Sequence, residues 1–151
     1  MSAAEFAALP EDAEARFELQ EGALVMPPRP VPVRQDCLFE LGSQLRPQVP
    51  AHLKMLLEVD VDLQLVPPGR PGTVRVPDLV VITRASFDRV RNEGGLLRAA
   101  EVVLAVEILS TGSRRTDGVV EHGEYADAGP VTGSFASEVP FPVRVDLTAL
   151  G

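Results

Sequence analysis

The stretches VRVPDLVVI (Val74 to Ile82) and VVLAVEILS (Val102 to Ser110) decide how this chain is read. Each is an apolar run of strand length, and each carries one carboxylate. Runs rich in Val, Ile and Leu predict strands buried on both faces. Asp78 follows Pro77 at the mouth of the first run, and Glu107 interrupts the second between Val106 and Ile108. A carboxylate in such a strand is costly unless it is paired, hydrogen-bonded or bound to a metal. Two of them on successive strands point to one shared site. The pair fits a divalent cation, because Mg²⁺ takes one or two protein carboxylates and fills its other positions with water or substrate phosphate. Such an ion can lower the pKa of a bound water and neutralise charge on a scissile phosphate. The plainer alternative is that Asp78 caps a turn and Glu107 pairs with a buried Arg. The spacing alone leaves both readings open.

Outward from these runs, LLEVDVDLQLV (Leu56 to Val66) alternates apolar and polar residues and predicts a half-buried strand. Its acids Glu58, Asp60 and Asp62 read as a solvated sheet face rather than a metal site, since alternation alone produces them. Val33, Cys37, Leu41 and Leu45 recur every four residues, which predicts a helix with one buried stripe ended near Pro47. Cys37 on that stripe reads as a small buried residue rather than a nucleophile, and Glu40 falls off the stripe. FELQEGALVM (Phe17 to Met26) predicts a β-hairpin turning at Glu21-Gly22, with residues up to about Pro10 a loose arm. SFDRVRNEGG (Ser86 to Gly95) predicts a short helix or loop closed by glycines. Asp117 is a candidate N-cap for a helix ended by Gly129. The tail offers one strand, PVRVDL.

The chain's 151 residues suffice for one domain with a real core, and 45% hydrophobic content argues against disorder throughout. The net charge of -8 disfavours a sequence-independent nucleic-acid binder, though not an enzyme with a local basic cleft and metal ions. A single Cys excludes an internal disulfide and fits a reducing compartment. No signal peptide is apparent, and no apolar run approaches the ~20 residues that span a membrane. The expectation is therefore a cytoplasmic protein with no membrane association.

The order of these pieces resembles the Uma-two family of restriction endonucleases, within the PD-(D/E)XK nuclease superfamily. The resemblance runs from about Phe17 to Gly129 and is carried by RVPDLVV, VEILS and the Asp117…Tyr125-Ala126-Asp127-Ala128-Gly129 helix. It implies an α/β fold: a restriction-endonuclease-like mixed sheet flanked by helices, with an N-terminal β-hairpin. Residues 1–16 would be an arm and 17–151 a single domain, shortened after about residue 129. Asp78 matches the family's metal-binding Asp, and Glu107 the acid of its (D/E)XK element. The superfamily's Lys would fall at Leu109. The family instead places its Lys four residues after the Asp matching Asp117, and here that residue is Glu121. A Glu there cannot stabilise developing negative charge and adds repulsion to two other carboxylates. Arg114, Arg115 and His122 are nearby cationic alternatives. After Gly129 a family strand and its hairpin are missing, which would expose a sheet edge unless PVRVDL or a partner chain fills it.

The implied function is Mg²⁺- or Mn²⁺-dependent hydrolysis of DNA phosphodiesters, with Asp78 and Glu107 as metal ligands. Glu121 stands at the third catalytic position, where it would impair activity. The expected partner is DNA, with a homodimer left open. The alternative is a non-catalytic relative that binds a protein or nucleic acid.

Overall fold

The computed structural model describes residues 1–10, 16–27, 31–108 and 132–150. The chain divides into two compact units, Met1–Arg29 with Ala51–Val106, and Pro30–Pro50 with Glu107–Gly151.

In the first unit, β1 (Glu18–Gln20) and β2 (Ala23–Val25) form the expected hairpin. Its two turn residues, Glu21 and Gly22, have φ of 48° and 85°. Positive φ at both central positions is the geometry whose twist matches paired strands. In place of a loose arm the chain begins with α1 (Ala3–Ala7), whose Ser2 and Glu5 form a capping box. The reason is packing: Phe6 is buried in a cluster with Leu19 and Val74, flanked by Ala3, Phe17 and Leu96.

The alternating run is not one strand but two, β3 (Leu53–Leu57) and β4 (Val61–Asp62). Glu58, at φ 49°, interrupts the ladder, and the chain then continues in the same direction, since Leu57 opposite Leu79 and Val61 opposite Arg75 keep one antiparallel register. Arg16 holds that break, donating to the Glu58 carbonyl and pairing with its carboxylate at 3.3 Å. β4 ends where the Asp62 carboxylate accepts from Gln64 N–H at 3.0 Å, a local turn that competes with the ladder. The acids of this run thus serve turns as much as a wet face.

The VRVPDLVVI run is also split. Val74–Arg75 is β5 and Leu79–Thr83 is β6, with Pro77, which has no N–H to offer a ladder, between them. α3 (Arg84–Glu93) follows, with the Thr83 hydroxyl accepting from Ser86 N–H as N-cap and Gly94 ending it. Then come β7 (Leu97–Arg98) and β8 (Val102–Val106). Among the described residues of this unit, one sheet runs β2-β1-β5-β4-β7 and a second β3-β6-β8. The first is mixed, since β4 and β7 are parallel. In the second, β6 lies antiparallel between its neighbours. Its Leu79, Val80, Val81 and Ile82 are fully buried, as an apolar run with no alternation requires. β8 is only partly buried along its length.

The second unit contains α2 (Pro32–Leu45), β9 (Ser134–Ser137) and β10 (Val143–Asp146). Cys37, Leu38, Leu41 and Leu45 form the buried stripe of α2, but Val33 is 68% exposed because it points about 100° round the helix from the centre of that stripe. β10 presents buried Val143 and Val145, and α2 packs against it. Among the described residues the PVRVDL strand pairs with β9. Its other edge is satisfied by two glutamines. Gln48 accepts from Arg144 N–H at 2.8 Å and donates to Arg144 O at 2.7 Å. Gln44 does the same to Asp146, at 2.8 and 3.0 Å. One helical turn apart, the two amides imitate a neighbouring strand and close an edge that would otherwise recruit another chain. No helix among the described residues is long and apolar enough to cross a membrane.

Candidate active site

Asp78 is 2% exposed and stands behind fully buried Pro77, one residue before β6. Three interactions fix the chain there. Glu18, on β1, accepts from the Arg75 guanidinium at 3.1 Å and from Val76 N–H at 3.3 Å. Both side chains are largely buried, 7% exposed for Arg75 and 15% for Glu18, so the pair is screened little by water. On the other side the Asp78 carbonyl accepts from Glu58 N–H at 3.1 Å. The hairpin and the strand break at Glu58 therefore position the backbone that carries Asp78.

Glu107 is not embedded within β8 but follows its last residue, Val106. Leu79 lies opposite Val106 in the β6–β8 ladder. Asp78 is the chain neighbour of the one and Glu107 of the other, at the same end of that ladder. The Glu107 side chain is 22% exposed, and the Arg34 guanidinium of α2 lies 3.9 Å from its carboxylate. An Arg beside Glu107 matches the plainer of the two sequence readings, although Arg34, at 26% exposure, is not deeply buried. Sequence reasoning did not single out Arg34: it lies 73 positions from Glu107 in the numbering, in a different kind of element, and no local spacing links them. Glu121 lies outside the described residues, as do Leu109, Arg114, Arg115, Asp117 and His122.

Among the described residues no three His, Cys, Asp or Glu side chains group closely enough to hold a metal ion. The chain's single lysine, Lys54, is engaged elsewhere, its ammonium 3.5 Å above the Phe87 ring. It lies opposite Ile82, whereas the Asp78 end of the ladder is at Leu57 and Leu79. That separation is about 10 Å along the strand. A groove of about 450 Å³ in the first unit, lined by Ala3, Asp62, Arg89 and Arg98 among others, contains neither candidate acid. Its Arg89 is bound through two nitrogens to Glu101, at 2.7 and 2.6 Å, and this holds the Glu101 carboxyl below its ordinary range.

Over residues 3–133 the sequence matches the family described as "Uma2: Putative restriction endonuclease". Among solved structures the chain is similar to the crystal structure of "a putative nuclease belonging to DUF820" from Anabaena variabilis, at 22% sequence identity and a TM-score of 0.53. The alignment covers 80% of this chain and 66% of the other, so the chain spans just under two thirds of that protein's length. At this identity the likeness carries the fold alone. Comparison with curated proteins gives no match.

Proposed function

The chain belongs to the Uma2 family, and from that premise we propose that it is a divalent-metal-dependent endonuclease hydrolysing DNA phosphodiesters in the cytoplasm. The observation that carries this reading is the match over residues 3–133 to a family of restriction endonucleases, with Asp78 and Glu107 at the positions that the resemblance assigns to metal. Asp78 and Glu107 are the two protein ligands in this reading. The donor set suits Mg²⁺ or Mn²⁺, hard cations that accept one or two carboxylates and complete their shell with water and phosphate oxygens. Once bound, such an ion would polarise the scissile phosphate and favour attack by water.

The protein's own part is positioning. Glu18 holds Arg75 and Val76, Glu58 N–H holds the Asp78 carbonyl, and both lock the approach to β6. Glu121 is the third member of the proposed set. Being acidic, it supplies no charge stabilisation for the phosphate. The second reading, a non-catalytic relative, draws on that residue and on Lys54, which is occupied by Phe87 about 10 Å along β3 from the Asp78 end.

A plasmid-nicking assay in Mn²⁺ tests the proposal with the protein as given, Glu107→Gln and Glu121→Lys. Nicking by the protein that Glu107→Gln abolishes supports a working nuclease. Nicking by Glu121→Lys alone supports a sound scaffold with an inactivated site. If none of the three nicks, the nuclease reading gives way to the binding reading.

A further inference from the structure

We propose that the face shared by β3 and α3 holds the phosphate backbone of duplex DNA, with Lys54, Arg84 and Arg91 as its contacts. The choice of DNA as partner rests on the nuclease reading; the surface itself rests on where the charges lie. The chain carries a net charge of -8, so a cluster of cations is an exception to its composition. Arg84, Phe87 and Arg91 are spaced by three and then four residues, which puts them on one side of α3. Asp88 lies on that side too and is tied to Arg91 at 3.1 Å, whereas Glu93 falls half a turn round the helix from Arg84. β3 contributes Lys54 and no acid. Three cations against one acid make the face basic.

These cations are already held in place. The Lys54 ammonium lies 3.5 Å from the centre of the Phe87 ring, and the Arg91 guanidinium carbon lies 6.0 Å from it. One ring thus attracts two cations that repel each other. An aromatic face supplies no oxygen acceptor, and among the described residues the ammonium makes no hydrogen bond. Exposed Arg84 is anchored by one edge: its backbone N–H donates to His52 O at 3.0 Å and its Nε to Ala51 O. Its Nη donors have no protein partner among the described residues. Cations fixed in advance lose less freedom when a phosphate arrives. The reach is also right. Lys54 lies opposite Ile82, three residues along β6 from Leu79 and so about 10 Å from the Asp78 end. One turn of duplex spans about 34 Å, so a duplex seated at Asp78 is long enough to cover the patch.

The test is fluorescence anisotropy with a short labelled duplex in EDTA, which reads binding without cleavage, over about 50–200 mM salt. The full chain is compared with Lys54→Gln, Arg84→Gln, Asp88→Asn and Arg70→Gln. Each lost phosphate contact makes the slope of log affinity against log salt shallower by about 0.9. Lys54→Gln and Arg84→Gln should each bind more weakly with a slope shallower by about one. Asp88→Asn removes the acid and should bind more tightly than the parent. Arg70→Gln removes the same charge from the turn between β4 and β5 and should keep the parent slope. Lys54→Gln and Asp88→Asn break no hydrogen bond of the fold, so they give the answer even if Arg84→Gln loosens α3. Parent slopes in both, or an equal change in Arg70→Gln, overturn the proposal whatever the nicking assay shows. So does a parent chain that binds no duplex at low salt, while nicking in Mn²⁺ decides the nuclease reading separately. The expected slopes with no nicking by any protein leave this surface standing and remove catalysis.

Discussion

Replacing Gly22 with Ala isolates what fixes the N-terminal hairpin. Gly22 has φ 85°, where an L-residue pays about 1–2 kcal/mol. A β-carbon there would stand 2.7 Å from Pro71 Cβ, 2.9 Å from Met1 N and 3.2 Å from Met1 O. All three are backbone or ring atoms that cannot swing aside. The Met1 nitrogen also donates to Gly22 O at 2.7 Å, and Gly72 N–H donates to Met1 O at 3.1 Å. Displacing Met1 therefore loses these two bonds, at about 1 kcal/mol each. The lower entropy of the unfolded Ala chain returns about 0.4–1 kcal/mol. The net expectation is a loss of about 2–3 kcal/mol. Gly69 is the control, since its φ is 79° and nothing lies within 4 Å of its would-be β-carbon. Gly69→Ala meets the backbone cost and the entropy return alone, for a loss within about 1 kcal/mol. Urea denaturation of both variants gives the comparison. If the two lose the same stability to within about 0.5 kcal/mol, close packing of Met1 and Pro71 on the turn is not what demands glycine, and the reasoning fails.

Three further outcomes follow from the same geometry. Val81→Ala, at a fully buried site on β6, should cost about 2–3 kcal/mol by leaving a cavity, read by the same denaturation. Gln44→Ala removes both amide contacts to Asp146 and should cost about 1 kcal/mol, with Gln44→Glu restoring only the acceptor bond from Asp146 N–H. A double-mutant cycle on Arg89 and Glu101 should give a favourable coupling at pH 7, because the pair is two-pronged. The hydrogen bonds from Arg89 lower the Glu101 pKa in the folded state, so this contribution is full above the unfolded carboxyl's value of about 4.3 and fades as pH falls through the lower folded value. A coupling that stays constant from pH 7 to pH 2 would contradict that assignment.

The elements legible in the sequence were those whose cause is local. The hairpin was signalled by its glycine, α2 by its four-residue stripe, and β6 by an apolar run with no alternation. The misreadings share one physical origin, a tertiary contact that the local pattern does not show. Alternation through LLEVDVDLQLV predicts one strand, but the ladder is interrupted after Leu57, where Arg16 grips Glu58. The N-terminal residues lack any long period and read as an arm. Yet a capping box that needs only Ser2 and Glu5 starts α1, and burial of Phe6 against Leu19 and Val74 retains it. The strand β9 was missed because SFAS has neither a long apolar run nor branched residues, and it pairs only because β10 is there to receive it.

The candidate site divides along the same line. Asp78 and Glu107 stand out because a carboxylate beside an apolar run is anomalous by itself, wherever the chain goes next. What surrounds them cannot be read that way. Glu18 looks like an ordinary polar hairpin residue, and only pairing of β1 with β5, Leu19 opposite Val74, brings it to Arg75 and Val76. Arg34 looks like a polar residue of an amphipathic helix, and its 3.9 Å approach to Glu107 shows only in the fold. Sequence therefore reveals the groups whose cost is intrinsic, and structure reveals those that offset that cost. Deleting the second kind tells more about mechanism than deleting the first. Loss of Asp78 or Glu107 tests the proposed metal site as a whole, whereas loss of Glu18 tests the hold on the backbone that carries Asp78 and leaves both of those carboxylates in place.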